Sequence, residues 1–320
     1  MSPPAESIPG RVEDTGLLAA GRPVVVMLSG GRDSACLLDL AAGICGPEHV
    51  GALHVNYGLR EAAGSDEAFC RELCERLGVA LEVRSAQAPE AGNLQAWARD
   101  FRYGAGAWLA SSREADLAAG HTVSDQAETV LYRLAVSPGR RALLGMPARR
   151  GRLVRPLLAA GLTRSDTTLW CQERGLGWVD DATNEEGPYA RTRIRREVLP
   201  GLAELNPAAE ENIARSADLL RDEAEVLDLV VETALAGREE IPLDHLEALP
   251  VALARLVARE LAERATGEPC PRAAGRLEEI LALARPGPGA LDVGDGARAV
   301  VEGGVLRFER SPERSRAAGR

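Results

Sequence analysis

Residues 24–34, VVVMLSGGRDS, constrain the fold of this chain more than any other stretch. The first five are an apolar, mostly β-branched run, typical of a strand that is buried on both faces. The next six combine two hydroxyls with adjacent glycines, and an apolar helix over 35–42 follows. A strand, a glycine-rich turn and a helix N-terminus together form a site for phosphate oxygens. The alternative is an ordinary strand-to-helix turn in which Ser34 caps the helix.

Two common phosphate loops do not fit this stretch. A mononucleotide P-loop has the pattern GxxxxGK[ST], and this chain contains no lysine, because all 38 basic residues are arginine. A dinucleotide loop has the pattern GxGxxG, which Gly30-Gly31 followed by Arg32-Asp33 does not supply. The pattern that remains is SGGxDS.

Strand and helix signals alternate over the first half of the chain. Strands are predicted at 50–55, 80–83 and 116–121, and helices at 65–77, 93–112 and 125–135. This alternation predicts an α/β fold, a doubly wound parallel sheet with helices on both faces. Ligands of such sheets bind at the carboxyl ends of the strands. Residues that directly follow a strand are therefore the candidates for the functional site.

The composition is that of an ordinary globular protein, with 45% apolar and 27% charged residues among 320. The first 22 residues carry three acids and no apolar core, so they resemble neither a signal peptide nor a transit peptide. A cytoplasmic protein without membrane segments is expected. The six cysteines form no CxxC pair, and buried reduced thiols are the favoured interpretation.

The net charge of −10 hides an uneven distribution of charge. Residues 203–247 hold thirteen acids and three arginines, so the rest of the chain is balanced. Within that rest, residues 138–155 contain six arginines and residues 189–196 contain four, both without an acid. Two acid-free arginine clusters near a nucleotide site indicate a polyanionic substrate. A solvated, arginine-rich surface is the alternative.

The SGGxDS pattern resembles the pyrophosphate loop of the N-type ATP pyrophosphatases, the PP-loop superfamily. The resemblance implies that the loop holds the β,γ-diphosphate of ATP while the α-phosphate is attacked, so that AMP and pyrophosphate are released. A carboxylate beside phosphates repels them unless a cation lies between, so Asp33 is expected to act through Mg²⁺. The implied ATP-binding residues are Ser29, Gly30, Gly31, Arg32, Asp33 and Ser34.

Further motifs resemble one branch of that superfamily, the tRNA(Ile)-lysidine synthetases. They are HVNYGLR at 54–60, ARDFRY at 98–103, HTVSDQAET at 121–129, DDATN at 180–184 and YARTRIRREVLP at 189–200. The resemblance is strong over residues 22–205. This chain departs from the family pattern at four positions, where the family has Asp, His, Asp and Asn: Asn56, Tyr57, Ser124 and Thr192.

Several candidate site residues follow from these motifs. Asp125 and Glu128 could bind the amine of a substrate lysine and take its proton, or they could form a helix capping box. Arg191 and Arg195 lie on one helical face and are candidates for contact with RNA or the α-phosphate. His54 is expected to be a packed core residue, and His121 is a weaker candidate. Lower-ranked substrate contacts are Arg60, Arg99, Arg140 and Arg141.

The expected organisation is an N-terminal extension (1–21), a PP-loop catalytic domain (22–205) and a smaller, mainly helical tRNA-binding domain that ends in short strands (206–320). Helices are predicted at 207–236, 243–249, 251–264 and 272–284. The strands 290–293, 297–301 and 305–309 follow, separated by hairpin turn signals. The pattern resembles the short form of the family.

The resemblance implies an enzyme that ligates free L-lysine to C2 of the wobble cytidine of a tRNA(Ile) with a CAU anticodon, through an adenylated cytidine. ATP with Mg²⁺ would be the co-substrate. The oligomeric state stays open, with a homodimer as one option. The alternatives are a PP-loop tRNA thiolase, an ATP-dependent amidotransferase and a nucleotide-binding module without turnover.

Overall fold

The computed structural model describes residues 7–58, 63–87, 89, 92–136, 139–179, 190–283 and 289–312. The chain divides into two compact units, Met1–Arg221 and Asp222–Arg320. The long helix α11 (Ala209–Leu235) begins in the first unit and ends in the second. The domain boundary inferred from the sequence, at 205–206, lies shortly before this helix. None of the helices among the described residues combines the length and apolar character needed to cross a membrane.

The first unit contains a six-stranded sheet in the order β3-β2-β1-β4-β6-β5. All strand pairs are parallel except β5 with β6, which is antiparallel and lies at one edge of the sheet. The strands are β1 (Val24–Met27), β2 (Val50–Asn56), β3 (Ala80–Ser85), β4 (Asp116–Ala118), β5 (Arg149–Arg150) and β6 (Leu153–Val154).

Helices cover the sheet between these strands. The first unit contains α1 (Ile8–Asp14), α2 (Arg32–Cys45), α3 (Ala63–Leu77), α4 (Leu94–Ser112), α5 (Val123–Val136), α6 (Arg140–Leu143), α7 (Pro156–Ala159), α8 (Arg164–Glu173), α9 (Ala190–Arg193) and α10 (Leu199–Leu205). A π-helical turn, Ile194–Val198, joins α9 to α10.

The central strand β1 has a core on each side, as the uninterrupted apolar run predicts. Val24, Val26 and Leu28 pack into the cluster that contains α2 and α3, whereas Val25 and Met27 pack into the cluster that contains α4. Side chains alternate between the faces of a strand, so a strand with two buried faces is apolar throughout. The doubly wound α/β fold is thus confirmed.

The N-terminal segment is part of the first core. Val12 in α1 and the following Leu17 and Leu18 are buried in the same cluster as α2. The side chain of Arg11 donates hydrogen bonds to the backbone oxygens of Ala160 and Gly161. A segment that looked like an extension in the sequence therefore contributes to the packing of this unit.

Among the described residues, the second unit contains the antiparallel sheet β7-β10-β9-β8 and, after α11, three short helices and one of 16 residues. Its elements are β7 (Glu240–Pro242), α12 (Leu243–Ala248), α13 (Val251–Thr266), α14 (Pro271–Gly275), α15 (Leu277–Ala282), β8 (Gly289–Gly294), β9 (Ala297–Glu302) and β10 (Val305–Arg310). The strand pairs confirm both predicted hairpins.

Two local predictions differ from the structure. The strand predicted at 116–121 ends at Ala118, because Gly120 and His121 turn out of the sheet at its carboxyl end. The helix predicted at 272–284 is two helices, separated at Arg276 directly after Gly275. Glycine weakens a helix interior, so a break at this position is physically reasonable. All six cysteines are free and buried, as expected.

Candidate active site

The loop between β1 and α2 is closed by its own hydroxyls. The backbone N–H groups of Ser29 and Gly31 donate to Ser34 Oγ (3.2 Å) and Ser29 Oγ (3.3 Å), respectively. The Ser34 hydroxyl donates to the backbone oxygen of Gly31 at 2.8 Å. Gly30 has φ +85°, a conformation that favours glycine. Hydrogen bonds within the loop therefore define its conformation without a ligand.

Gly31, and not Ser34, is the N-cap of α2. Glycine has no side chain with which to cap, and the first N–H groups of a helix have no acceptors within the helix. Those donors, together with the positive end of the helix dipole, suit an anion. The capping alternative for Ser34 is thus wrong, and we call the predicted ATP-binding loop with this helix start, residues 29–34, the phosphate cradle.

Gly120, which follows β4, approaches this cradle closely. A Cβ atom at Gly120 would lie 3.0 Å from both the backbone carbon and the backbone oxygen of Asp33, and 3.2 Å from the nitrogen of Ser34. These neighbours are backbone atoms at the start of α2, so they cannot rotate away as a side chain could. The absence of a side chain at this position lets the ends of β1 and β4 form one site.

The substitution Gly120→Ala is expected to weaken ATP binding about tenfold, because the new methyl group displaces the first turn of α2 by a few tenths of an ångström. Isothermal titration with ATP measures this change. Gly104→Ala in α4 is the matched control: its Cβ would meet nothing within 4 Å, and we expect no loss of affinity. Equal ATP affinity of Gly120→Ala and the unsubstituted protein would contradict the account.

Helix α8 holds Asp33 in place from outside the loop. Thr167 Oγ1 donates to Asp33 Oδ1 at 2.5 Å, and Arg32 Nε donates to the same oxygen at 3.2 Å. Within the described residues, Asp33 Oδ2 has no hydrogen-bond partner. One carboxylate oxygen is thus anchored while the other is available, which fits a carboxylate that shares Mg²⁺ with substrate phosphates.

Asp125 is at the start of α5 and reaches the same cavity. Its Oδ2 accepts from the N–H (2.8 Å) and the hydroxyl (3.0 Å) of Thr122, while its Oδ1 accepts from Arg164 Nη2 at 3.0 Å. The cap of this helix therefore pairs Thr122 with Asp125, rather than Asp125 with Glu128. Asp125 combines a capping role with a position on the cavity wall.

Glu128 is buried and held by two arginines. Its Oε1 accepts from Arg164 Nη1 (3.0 Å) and Arg195 Nε (2.7 Å), and its Oε2 accepts from Arg195 Nη2 (3.0 Å). Burial raises the pKa of this carboxyl, but the hydrogen bonds and charges of the two guanidinium groups outweigh burial and leave the pKa lowered. Glu128 is therefore an ionised anchor that orients Arg195.

A cavity of about 730 Å³ lies at the carboxyl ends of β1, β2 and β4. Such a volume suits a nucleotide-sized ligand. The whole phosphate loop except Gly30 lines it, together with Asp125, Arg164 and Arg195. The structure thus brings seven of the fourteen predicted site residues to one cavity.

Other predicted arginines lie outside that lining. Arg191 is placed over the ring of Tyr132, with 5.6 Å from Cζ to the ring centroid. Arg99 is on α4, and Arg140 and Arg141 are on α6. Arg60 falls outside the described residues, as does the stretch 180–189.

The two predicted histidines differ. His54 is buried, as expected, and its Nδ1 lies 3.0 Å from the backbone oxygen of Leu28, but the residue also lines the cavity. Burial lowers the pKa of His121 to about 3, and the charges of Arg155 and three other arginines add to the shift. His121 is therefore neutral at physiological pH and is unsuited to serve as a cation.

At two of the departures from the family pattern, the side chain donates a hydrogen bond to a neighbouring acid. Asn56 Nδ2 donates to Glu67 Oε2 at 2.9 Å. Ser124 Oγ donates to Glu210 in α11. An aspartate at either position would place two carboxylates in contact, which is unfavourable. The amide and the hydroxyl are thus the residue types that these neighbours require.

The other two departures are Tyr57 and Thr192. The Tyr57 hydroxyl donates to the backbone oxygen of Ala98 at 2.8 Å and so connects the end of β2 with α4. Nothing in the structure explains Thr192.

Sequence reasoning missed Arg164 and Thr167, the two α8 residues that join the phosphate loop to the acids of α5. The only signal was the helix start itself, where Thr163 and Asp166 form a capping box. That signal places the first turn of α8 but does not reveal that it faces the β1 and β4 ends, which is a long-range property of the fold.

Comparison with known proteins places the site in a family. Residues 11–202 match the PP-loop domain family. A tRNA(Ile)-lysidine synthase of Pseudomonas aeruginosa is 41% identical over 227 residues, which are 68% of this chain and 51% of that protein. One from Symbiobacterium thermophilum is 36% identical over 324 residues, covering 92% of this chain and 67% of that protein.

A solved structure shares the fold at low identity. The U34-tRNA thiolase NcsA from Methanococcus maripaludis has a TM-score of 0.56 and 18% identity, over 67% of this chain and 78% of that chain. This similarity concerns the fold alone. The present chain spans about half the length of the Pseudomonas relatives it matches. The family match over 11–202 and the identity over most of the chain establish that the chain belongs to the tRNA(Ile)-lysidine synthases of the PP-loop family.

Proposed function

We propose that this protein ligates L-lysine to C2 of the wobble cytidine of a tRNA(Ile) with a CAU anticodon and releases AMP and pyrophosphate. The observation that carries the proposal is the single cavity in which the phosphate cradle of β1 and α2 faces Asp125 and Arg195. The membership of the family supports the choice of reaction.

The first half of the reaction is the adenylation of the cytidine C2 oxygen. The N–H groups at the start of α2 bind the departing diphosphate and stabilise the negative charge that grows on it. Asp33, anchored by Thr167, is the residue that would hold Mg²⁺. When bound, this ion would neutralise phosphate charge. Arg195, fixed by Glu128, is placed to contact the α-phosphate.

The second half is the displacement of AMP by the ε-amine of lysine. An amine must be deprotonated before it attacks, and a carboxylate is a suitable base. Both predicted acids accept hydrogen bonds from arginine, Asp125 through one carboxylate oxygen and Glu128 through two, but of the two acids Asp125 is the one that lines the cavity. We therefore assign binding of the ammonium group to Asp125 and positioning of Arg195 to Glu128.

The test is an incubation with ATP, labelled lysine and an unmodified tRNA(Ile) transcript. The expected products are AMP, pyrophosphate and lysine-labelled RNA, and a transcript with G in place of the wobble cytidine is the control. Formation of ADP, or release of AMP without any dependence on tRNA, would contradict the proposal.

The Asp125→Asn variant separates the two halves of the reaction. We expect pyrophosphate release to persist and lysine incorporation to fall about 10²-fold, the effect of losing a general base. Measurement of both products in one assay gives the ratio. Equal loss of both products would place Asp125 in the adenylation step instead.

A further inference from the structure

Three polar atoms on one side of the cavity are buried without a partner. They are the Tyr103 hydroxyl, His121 Nδ1 and Arg155 Nε: none makes a hydrogen bond of acceptable distance and angle among the described residues, although Tyr103 and Arg155 lie against each other. A buried polar group that lacks a partner costs on the order of 1–3 kcal/mol. Three of them together indicate a site that is completed by a ligand.

These atoms belong to one location. Tyr103 and His121 both line the cavity, and Arg155 is buried beside Tyr103, where it donates to the backbone oxygen of Pro147 at 2.6 Å. His121 comes directly after Gly120, the residue that touches the phosphate loop. The cluster is therefore adjacent to the ATP cradle, at the end of β4, and is built by α4, β4 and β6.

The cluster is surrounded by positive charge. Arg99 and Arg102 lie over the Tyr103 ring, with 4.6 and 5.7 Å from Cζ to the ring centroid. No carboxylate among the described residues pairs with Arg99, Arg102 or Arg155. Guanidinium groups bind phosphate oxygens with several donors at once. The combination of unpaired cations and unpartnered polar atoms favours a phosphate group.

We propose that Tyr103, His121 and Arg155, together with Arg99 and Arg102, form a second phosphate subsite that binds a backbone phosphate of the RNA strand. The phosphate loop already provides for the diphosphate of ATP. Arg102 lines the cavity whereas Arg99 lies outside the lining, so the positive charge continues beyond the cavity. An RNA strand carries further phosphates that would contact positive charge outside the cavity, whereas a mononucleotide has none. The proposal rests on the proposed function for its substrate class.

Tyr103→Phe tests the subsite with minimal disturbance. It removes one hydroxyl that makes no hydrogen bond of acceptable distance and angle among the described residues, so the melting temperature should not fall. We expect the affinity for a fluorescent anticodon stem-loop of tRNA(Ile), measured by anisotropy without turnover, to weaken about fivefold, while ATP affinity stays unchanged.

Arg102→Gln is the second variant that tests the subsite. Loss of one phosphate contact should weaken stem-loop binding at all sequences and reduce the slope of log affinity against log salt by about one. An unchanged stem-loop affinity in both variants overturns the proposal. A loss of ATP affinity alone would assign the subsite to the nucleotide, and a lower melting temperature of Tyr103→Phe would show that the hydroxyl is satisfied within the chain; either result overturns it.

The two binding measurements do not depend on whether the protein catalyses the proposed reaction. If lysine is not incorporated but stem-loop affinity depends on Tyr103 and Arg102, the subsite stands and the proposed reaction fails. If lysine is incorporated and both variants bind the stem-loop normally, the reaction stands and the subsite fails.

Discussion

Asp33→Asn is expected to lower kcat for lysine incorporation about 10³-fold, a loss comparable to the removal of a preorganised electrostatic contact in other enzymes. An asparagine oxygen could still accept the hydrogen bond from Thr167 and so keep the loop in place. The lost charge removes the carboxylate that would share Mg²⁺ with the phosphates. We expect the Mg²⁺ dependence of ATP binding, measured by titration with and without the ion, to decrease in the same variant.

Asp39→Asn, on the same helix as Asp33, is the control variant for Asp33→Asn. Asp39 is buried and accepts from Trp170 Nε1 at 2.9 Å and from Arg174 Nε at 3.2 Å, on the side of α2 away from the cavity lining. This variant should lose about 1–2 kcal/mol of stability through a weakened charged network, with ATP affinity unchanged. If Asp33→Asn lost stability and Asp39→Asn lost ATP binding, the assignment of the two acids would be wrong.

Arg164→Met is expected to lower the free energy of unfolding by about 3 kcal/mol, because it removes a cation from two carboxylates at once. Asp125 and Glu128 are each 3.0 Å from this guanidinium, and Glu128 is buried. Chemical denaturation at neutral pH measures the loss. Arg193→Met is the control, since its pair with Glu197 is exposed and should contribute less than about 0.5 kcal/mol.

The loss of stability in Arg164→Met is expected to depend on pH. Glu128 has a lowered pKa in the folded protein, so its ion pairs stabilise the fold above the unfolded-state value near 4.5, and this contribution is lost as the pH falls through the folded-state pKa. The difference between Arg164→Met and the unsubstituted protein should therefore shrink on acidification. A difference that is below about 1 kcal/mol at neutral pH, or that grows with acid, would contradict the assigned network.

The strand and the turn of the site could be predicted from the sequence, because each is specified by a few neighbouring residues. The run of apolar residues before Ser29 specifies a strand with two buried faces, and adjacent glycines specify a turn that approaches an anion. The buried strand is confirmed by β1, and the N-cap at Gly31 is compatible with the anion site, which stays a prediction. Asp125 was found differently, from the resemblance of the motif at 121–129 to the family pattern.

The long-range contacts could not be predicted in this way. Thr167 is 134 residues from Asp33 in the chain, and Arg164 is 36 residues from Glu128. No pattern within α8 indicates which acids it meets. For the same reason the sequence suggested one role for the two carboxylates of α5, whereas in the fold both pair with Arg164 and, of the two, Asp125 lines the cavity.

The phosphate cradle is the central claim, and a crystal structure of the protein with α,β-methylene-ATP tests it most directly. The account predicts that the terminal phosphates lie within about 3 Å of the backbone N–H groups at the start of α2, next to Gly31 and Asp33. Terminal phosphates seated on Arg102 and His121 instead, with the N–H groups of α2 unoccupied, would contradict it.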